Sequence, residues 1–175
     1  MKVACAVILL LLGPSALFAQ STRNPVTSAV KEIFPRQQKN LIGAAETMPG
    51  DKYSYKPTPE QITFGHLVMH IATSNDLLCS KIGDVAAPKT DDLKDTDAKD
   101  KLVTGLKASF DFCDGVLAKA DDSKLGDTME LWKGRQATRA GALIALTNDW
   151  ADHYGAAAMY LRLNGLLPPS AQGKK

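Results

Sequence analysis

One long segment without helix-breaking residues constrains this chain more than any other feature. Residues 138–164 contain no proline, while Gly165 and Pro168 beyond them supply a left-handed stop and a residue that cannot continue a helix. The segment therefore predicts a helix roughly 40 Å long, because each helical residue advances the axis by about 1.5 Å. Its inward stripe, read at helical spacing, consists of Arg139, Leu143, Leu146, Trp150, Ala157 and Leu161.

Asp149 and His153 lie along one edge of that stripe, one helical turn apart. Residues at i and i+4 are neighbours on a helix surface, and a carboxylate and an imidazole at this spacing can bind one divalent metal. The same two side chains can instead form a partly buried ion pair or hydrogen bond with each other. The spacing alone leaves both interpretations open, and a metal would need further ligands from another helix.

Residues 1–19 have the layout of a secretory signal peptide. A basic start at Lys2 is followed by an apolar run, a Gly13-Pro14 break and a small-residue end at Ala19. The apolar run is shorter than the roughly 20 residues that a bilayer span needs, which disfavours a stable membrane anchor. We therefore expect cleavage after Ala19, export to the periplasm or the extracellular space, and one folded domain over residues 20–175.

The charge pattern excludes one class of partner. The chain carries a formal net charge of +2, with acidic and basic residues interspersed and no basic block. A protein that follows nucleic-acid phosphates normally presents a strongly basic face, often with aromatic side chains between the cations. Nucleic acid is therefore not expected as a partner.

Two further segments upstream have helical periodicity. The first begins near Pro25, which suits a first helical turn, and Pro35 is expected either to kink that helix or to precede its start. The second is predicted to begin with Thr58 as its N-cap and Pro59 in its first turn, and to run to about residue 83.

A third helix is predicted from about residue 97 to residue 120, after a polar, turn-rich connection over residues 84–96. Beyond it, residues 128–132 favour a short strand that would be marginal by itself. Four long helices without a convincing sheet predict an all-α fold, a four-helix bundle, in which metal and ligand sites are built between facing helices. All three histidines lie on two of these helices: His66 and His70 on the second, His153 on the fourth.

Export would leave Cys79 and Cys113 in an oxidising compartment, where such a pair usually forms a disulfide. Two buried free thiols are the alternative. Both cysteines lie late in their helices, so their sulfur atoms meet only if the second and third helices run parallel. The connection over residues 84–96 reaches about 43 Å when extended, which is enough for such a crossover.

Two blocks of the sequence resemble a known family. Residues 44–75 read AAETMPGDKYSYKPTPEQITFGHLVMHIATSN, and residues 138–170 read TRAGALIALTNDWADHYGAAAMYLRLNGLLPPS. In this order and spacing they are similar to the DinB-like superfamily, the DinB/YfiT type of four-helix bundle, and most of all to a secreted branch of it. The resemblance implies a long crossover between parallel second and third helices, with the fourth helix returning.

The resemblance also implies a metal site. Members of the family typically hold a divalent metal with one histidine from the second helix and an HxxxH pair from the fourth. Matched by position, His70 takes the first of these places and His153 the last, while Asp149 replaces the middle histidine. His66, one turn before His70, is a candidate fourth ligand or a surface side chain.

The replacement by Asp149 changes the character of the implied site without excluding a metal. A carboxylate oxygen is an acceptable ligand for zinc, nickel or manganese. Relative to an imidazole it lowers the net charge of the site by one unit, which should make the metal a weaker Lewis acid.

The implied function is metal-dependent catalysis on a small molecule. Relatives include thiol S-transferases and a thiol-dependent isomerase of the cytosol, but export would separate this chain from their reduced thiol cofactor, so water is the simplest replacement nucleophile. We expect a hydrolase or transferase, with Trp150, Tyr154 and Tyr160 as pocket walls or as plain core. The alternative is a non-catalytic small-molecule-binding or stress-related protein with a degenerate metal site. Many relatives dimerise, which makes a homodimer one expected assembly.

Overall fold

The structure, a computed structural model, describes residues 24–88 and 92–173. The predicted signal peptide, residues 1–19, lies outside the described residues. The described chain is a four-helix bundle, as predicted, with one short β-hairpin. None of the helices in this part of the chain is long and apolar enough to cross a membrane. The elements in chain order are α1 Pro25–Thr47, α2 Phe64–Gly83, α3 Lys99–Lys119, β1 Thr128–Glu130, β2 Gln136–Thr138 and α4 Arg139–Leu163.

Helix α4 begins and ends where the local sequence signals predict. The Thr138 side chain caps its first turn by accepting a hydrogen bond from the Gly141 amide, 3.1 Å away. Asn164 follows its last residue, and Gly165 adopts the left-handed conformation with a φ of 72°. Every residue of the predicted inward stripe is buried, including Arg139.

Helices α2 and α3 run parallel, as the positions of the cysteines predict. Near the start of both helices, Gly65 packs so closely on Leu102 that an added Cβ would lie 3.5 Å from the leucine Cδ1. Near the end of both helices, a Cβ on Gly83 would lie 2.9 Å from Val116 Cγ1. The chain between α2 and α3 is therefore the predicted crossover.

Cys79 and Cys113 form a disulfide between these parallel helices, with their Cα atoms 5.3 Å apart. Both residues are fully buried in the core. The pairing agrees with the disulfide prediction rather than with two separate thiols.

Helix α4 returns antiparallel to α2. At its first residue, the Arg139 guanidinium donates hydrogen bonds to the carbonyls of Lys81 and Ile82, at the end of α2. Near its last turn, the Tyr160 hydroxyl donates to the carbonyl of Ile62, just before α2, at 2.7 Å. These two anchors hold α4 along the whole length of α2, so facing residues of the two helices meet at defined heights.

The predicted start of α2 is wrong. The helix begins at Phe64, and its cap is Thr63, whose hydroxyl accepts a hydrogen bond from the His66 amide at 3.0 Å. Thr58 instead accepts a backbone hydrogen bond from Gln61 in a turn before the helix. The residues at Thr58 match an N-cap pattern, but no helix begins there.

The reason is a tertiary contact of the preceding loop. The Tyr53 side chain is buried, and its hydroxyl donates to the Ala45 carbonyl of α1 at 2.7 Å. The Tyr53 carbonyl in turn accepts a hydrogen bond from the Gly65 amide at 2.8 Å. With the loop held on α1 and its backbone bonded to the first turn of α2, the helix starts only after that contact.

Pro35 lies inside α1, so the alternative in which the helix begins after Pro35 is wrong. Pro35 is on the exposed side of α1. Water can therefore satisfy the carbonyl that loses its helical partner, and the buried face of the helix keeps its hydrogen bonds.

Replacing Gly65 with alanine is expected to destabilise the fold by about 1 to 3 kcal/mol. The added Cβ would lie 2.5 Å from the Asp95 carbonyl oxygen and 3.3 Å from that of Tyr53. Both are backbone atoms, so neither can rotate away. Urea unfolding measures the change, and Gly115→Ala is the matched control, since no described atom lies within 4 Å of a Cβ there. A Gly65→Ala protein as stable as the Gly115→Ala protein would contradict this contact.

The hairpin between α3 and α4 uses the segment in which a strand was predicted. β1 and β2 pair antiparallel, with Met129 opposite Ala137. The turn between them contains Lys133 and Gly134, both with positive φ. The predicted strand, which would be marginal by itself, is β1, and it pairs with β2. The hairpin ends at Thr138, the N-cap of α4.

Candidate metal centre

His70 of α2 faces Asp149 and His153 of α4, where the two antiparallel helices pack together. Ligand atoms of the three side chains all lie within 4.8 Å of one another, and within residues 24–88 and 92–173 this is the group that could hold a metal ion. The imidazole centroids are 4.8 Å apart, with the rings inclined by 42°. Atoms that share one ion are expected about 3 to 4 Å apart, so the cluster is slightly open, yet well inside the separation of about 8 Å that would exclude a shared ion.

Asp149 carries the strongest sign that the cluster suits a cation. Its side chain is 18% exposed, and Oδ2 is buried without a hydrogen-bond partner in the part of the chain that the structure describes. Burial raises the pKa of Asp149, and the nearby His153 and His70 oppose that rise. A buried, uncompensated carboxylate oxygen costs stability, and a bound metal would compensate it. The residues present therefore fit a divalent metal.

His153 is oriented by the helix that carries it. Its Nδ1 lies 2.6 Å from the Asp149 carbonyl oxygen and 3.4 Å from Asp149 Oδ1. A carbonyl oxygen only accepts hydrogen bonds, so Nδ1 donates the proton in this contact and Nε2 is the nitrogen left for a metal. Histidines that bind metals usually donate their other ring N–H in this way. The hydrogen bond to Asp149 and the metal-ligand role are therefore compatible.

His70 completes the cluster from the other helix. It lies on the solvent-exposed side of the cluster, and its Nε2 lies 3.4 Å from the Ser74 hydroxyl. Burial lowers the pKa of His70, and the neighbouring His153 lowers it further. Its neutral form is therefore favoured, and the neutral imidazole is the form that binds a metal.

His66, the candidate fourth ligand, has a different neighbour. Its Nδ1 lies 3.4 Å from Asp95 Oδ2, at the exposed start of α2. The group of three that could hold a metal does not include it. The structure thus gives His66 the surface position that the sequence analysis named as its alternative.

Asn75, which the sequence analysis did not single out, fixes the position of α4 along the axis of α2. Its Oδ1 accepts a hydrogen bond from Trp150 Nε1 at 2.7 Å, and its Nδ2 donates to the Ser109 hydroxyl at 3.1 Å. All three side chains are fully buried. Trp150 adjoins Asp149, so this network sets where Asp149 meets His70. The signal available in the sequence was a single asparagine on the apolar side of α2.

Asn75→Ala is expected to lower the free energy of unfolding by about 1 to 3 kcal/mol, because Trp150 Nε1 would lose its buried acceptor. The same change should weaken any metal binding by loosening the position of Asp149. Chemical unfolding and metal titration measure the two effects. Asn148→Ala is the control, since Asn148 is exposed on α4 and should change stability by less than about 0.5 kcal/mol. An Asn75→Ala protein as stable as this control would exclude the positioning role.

The aromatic side chains proposed as pocket walls have separate places. Trp150 is fully buried against Phe34 and Phe110 and is therefore core, the alternative named for it. The Tyr154 hydroxyl accepts a hydrogen bond from the Ser170 amide at 2.8 Å and holds the segment after α4. Tyr160 lines an open groove, which has a volume of about 540 Å³.

A wider cavity of about 1030 Å³ lies at the other end of α4, beside Arg139 and β1. Arg139 is about 15 Å from Asp149 along the helix axis. Its guanidinium already bonds the carbonyls at the end of α2. The candidate chemistry therefore belongs to the His70, Asp149 and His153 cluster rather than to this cavity.

Solved structures of similar fold are known. A DinB-like protein from Bacillus subtilis matches with a TM-score of 0.65 and 25% identity, over 86% of this chain and 99% of that protein. A DinB-like protein from Bacillus cereus matches with a TM-score of 0.67 and 19% identity, over 81% and 95%. A conserved protein from Enterococcus faecalis matches with a TM-score of 0.61 and 19% identity, over 79% and 96%.

No protein of curated function matches the chain significantly. The sequence profile of the DinB superfamily matches residues 33–157, which include most of α1 and all of α2 and α3, together with His70, Asp149 and His153. With the parallel α2 and α3, the returning α4 and this profile match taken together, the chain belongs to the DinB superfamily.

Proposed function

We propose that this protein binds a divalent metal through His70, Asp149 and His153 and uses it to catalyse hydrolysis or group transfer on a small molecule. One observation carries the proposal: three ligand groups from two helices lie within 4.8 Å of one another, around a buried Asp149 Oδ2 that has no partner among the described residues. The oxygen needs a cation, and the two imidazoles supply the remaining ligands.

The donor set indicates which metals to test. Two imidazole nitrogens and one carboxylate oxygen suit zinc, nickel or manganese. Three protein ligands leave coordination positions open, and the bound metal would supply Lewis-acid activation of a substrate oxygen or of water. The chain itself contributes orientation: the Asp149 carbonyl fixes the His153 ring, and the Asn75–Trp150 hydrogen bond fixes the height of Asp149.

Export is part of the proposal. The layout of residues 1–19 predicts cleavage, and a buried disulfide between Cys79 and Cys113 is typical of proteins from oxidising compartments. Mass spectrometry of protein recovered from the periplasm or medium should find a mature N-terminus at Gln20. Recovery of the full chain, beginning at Met1, from the cytoplasm alone would contradict export.

A second function follows from the open geometry of the cluster. The 4.8 Å spacing is wider than that of a closed metal site. This spacing favours a non-catalytic binding protein with a degenerate site. Equilibrium dialysis of metal-free protein against zinc, nickel and manganese separates the two functions. We expect about one bound ion per chain for the enzyme, whereas no stoichiometric binding favours the second function.

Asp149→Asn is expected to leave the metal-free protein at least as stable while removing most of the stabilisation by metal. Burial raises the pKa of Asp149, so its charged form costs stability at neutral pH, and lowering the pH through that raised pKa relieves the cost. Asparagine removes this charge and with it an anionic ligand. Thermal unfolding with and without zinc measures both effects.

The control for this change is Asp152→Asn, which removes an equal charge from an exposed position one turn away. That variant should keep the metal-induced rise in Tm. A metal-induced rise that is the same in the Asp149→Asn protein as in the parent would show that Asp149 is not a ligand.

A further inference from the structure

A groove runs along α4 directly beyond the cluster. It has a volume of about 540 Å³ and is open to solvent along one side. The segment before α2 forms its other wall, with Pro57 and Gln61. The helix contributes Ala151, Asp152, Gly155, Ala156, Met159 and Tyr160.

Helix geometry places this groove about one helical turn from the candidate metal centre. Asp152 follows Asp149 by three residues, and Ala156 follows His153 by three, so each pair lies on neighbouring turns of one face. Three residues advance the helix by about 4.5 Å. The end of the groove at Asp152 therefore lies nearest to the cluster, and Tyr160 forms the other end.

The floor of the groove is apolar and open. Gly155 and Ala156 present little or no side chain, and no described atom lies within 4 Å of a Cβ built on Gly155. Met159 is 56% exposed, which is high for a large apolar side chain. The Tyr160 hydroxyl is held by the Ile62 carbonyl, so its ring is a fixed end wall. Such a floor suits an aromatic or short aliphatic group.

One charged side chain indicates the sign of the charge that a ligand of the groove would carry. Asp152 is exposed and is the only side chain charged at neutral pH among the described residues that line the groove. In the metal-free protein, an organic anion in the groove would be repelled by this carboxylate, whereas an organic cation would be attracted by it.

We propose that this groove binds the apolar body of a small primary amine, with the ammonium group at Asp152 and the reacting group next to His153. The ligand class of the groove is thus an aryl or short alkyl amine rather than a carboxylic acid. The inference rests on the proposed function only for the site at which the bound amine would react. Binding of the amine in the groove requires no metal.

Three probes that share one ring test the proposal: benzylamine, benzyl alcohol and benzoate. Each is titrated into metal-free mature protein at neutral pH, with binding followed by changes in amide NMR signals. We expect benzylamine to bind best and benzoate worst, with shifted amides along residues 151–160. Asp152→Asn should weaken benzylamine about two- to fivefold, as for a surface ion pair, and leave benzyl alcohol unchanged.

Gly155→Leu tests the place of binding. Leucine favours a helix more than glycine and has open space here, so the variant should fold, while its side chain would fill the groove. All probes should lose about tenfold or more in affinity. Gly115→Leu is the control, because Gly115 is also an exposed helical glycine with no described atom near its Cβ, on α3.

Equal probe affinity in the Gly155→Leu and parent proteins would overturn the groove proposal, and so would tightest binding of benzoate. A dimer in sedimentation that Gly155→Leu dissociates would also overturn it, since a second copy of the chain would then occupy the groove. None of them depends on metal. Loss of the metal site is recognised separately, as metal-free protein that binds benzylamine as expected but takes up no zinc.

Discussion

His153→Ala is expected to reduce affinity for zinc by about 100-fold or more, because the change removes one of three ligands and leaves two. The His153 side chain is 16% exposed and its ring contacts His70 rather than the apolar core. The fold should therefore survive, with an unchanged helical circular dichroism spectrum. Isothermal titration with zinc into metal-free protein, at one pH and buffer, measures the affinity.

His66→Ala is the matched control for that measurement. His66 is the other histidine of α2 besides His70, one turn away, and its neighbour is Asp95 rather than the cluster. Its removal tests whether zinc binds to exposed histidines without a built site. Equal losses in both variants would indicate adventitious binding, and an unchanged affinity in His153→Ala would exclude this site.

Thermal unfolding gives an independent measure. A ligand at about 100 times its dissociation constant stabilises the folded state by about 2.7 kcal/mol. We expect this metal-induced stabilisation in the parent and in His66→Ala but not in His153→Ala. A loss of affinity caused by general unfolding would instead lower the Tm of metal-free His153→Ala.

Removing the disulfide is expected to have the largest effect on stability. The Cys79–Cys113 bond joins residues 34 apart in sequence, and closing a loop of that length in the unfolded chain corresponds to about 3 to 4 kcal/mol. The double variant Cys79→Ala, Cys113→Ala should lose at least this much, since both side chains are fully buried and alanine leaves unfilled volume. Guanidinium unfolding of oxidised protein measures the difference.

The parent protein under reducing conditions separates the two contributions. It loses the cross-link but keeps both sulfur atoms in the core, so its stability should lie between those of the oxidised parent and the double variant. The α2 and α3 helices should remain parallel in all three, since Asn75 and Ser109 still pair between them. Identical unfolding midpoints with and without reductant would show that no disulfide forms.

Local signals in the sequence predicted the elements whose ends are decided locally. α4 was predicted over residues 138–164 and occupies Arg139–Leu163 between its caps. Thr138, Gly165 and the absence of proline act within a few residues of the helix ends, so no distant contact is needed. The pairing of Asp149 with His153 was predictable for the same reason, because helix periodicity places i and i+4 side by side.

Contacts between distant residues decided what the sequence did not. α2 starts at Phe64 and not after Thr58, because buried Tyr53 holds the loop on α1 and bonds to the first turn. The N-cap pattern at Thr58 depends on local residues only and does not predict that contact. Pro35 is tolerated inside α1 because the bundle leaves that side of the helix in solvent.

The candidate site likewise has one part that the sequence predicted and another part that only the tertiary structure determined. The family resemblance named His70, Asp149 and His153, and helix periodicity placed two of them together on α4. The meeting with His70 depends on how α4 lies along α2, which the Asn75–Trp150 hydrogen bond and the Arg139 and Tyr160 anchors set across more than 50 residues of chain. Only that packing buries Asp149 Oδ2 without a partner among the described residues and opens the groove along α4, because burial depends on neighbours that are remote in sequence.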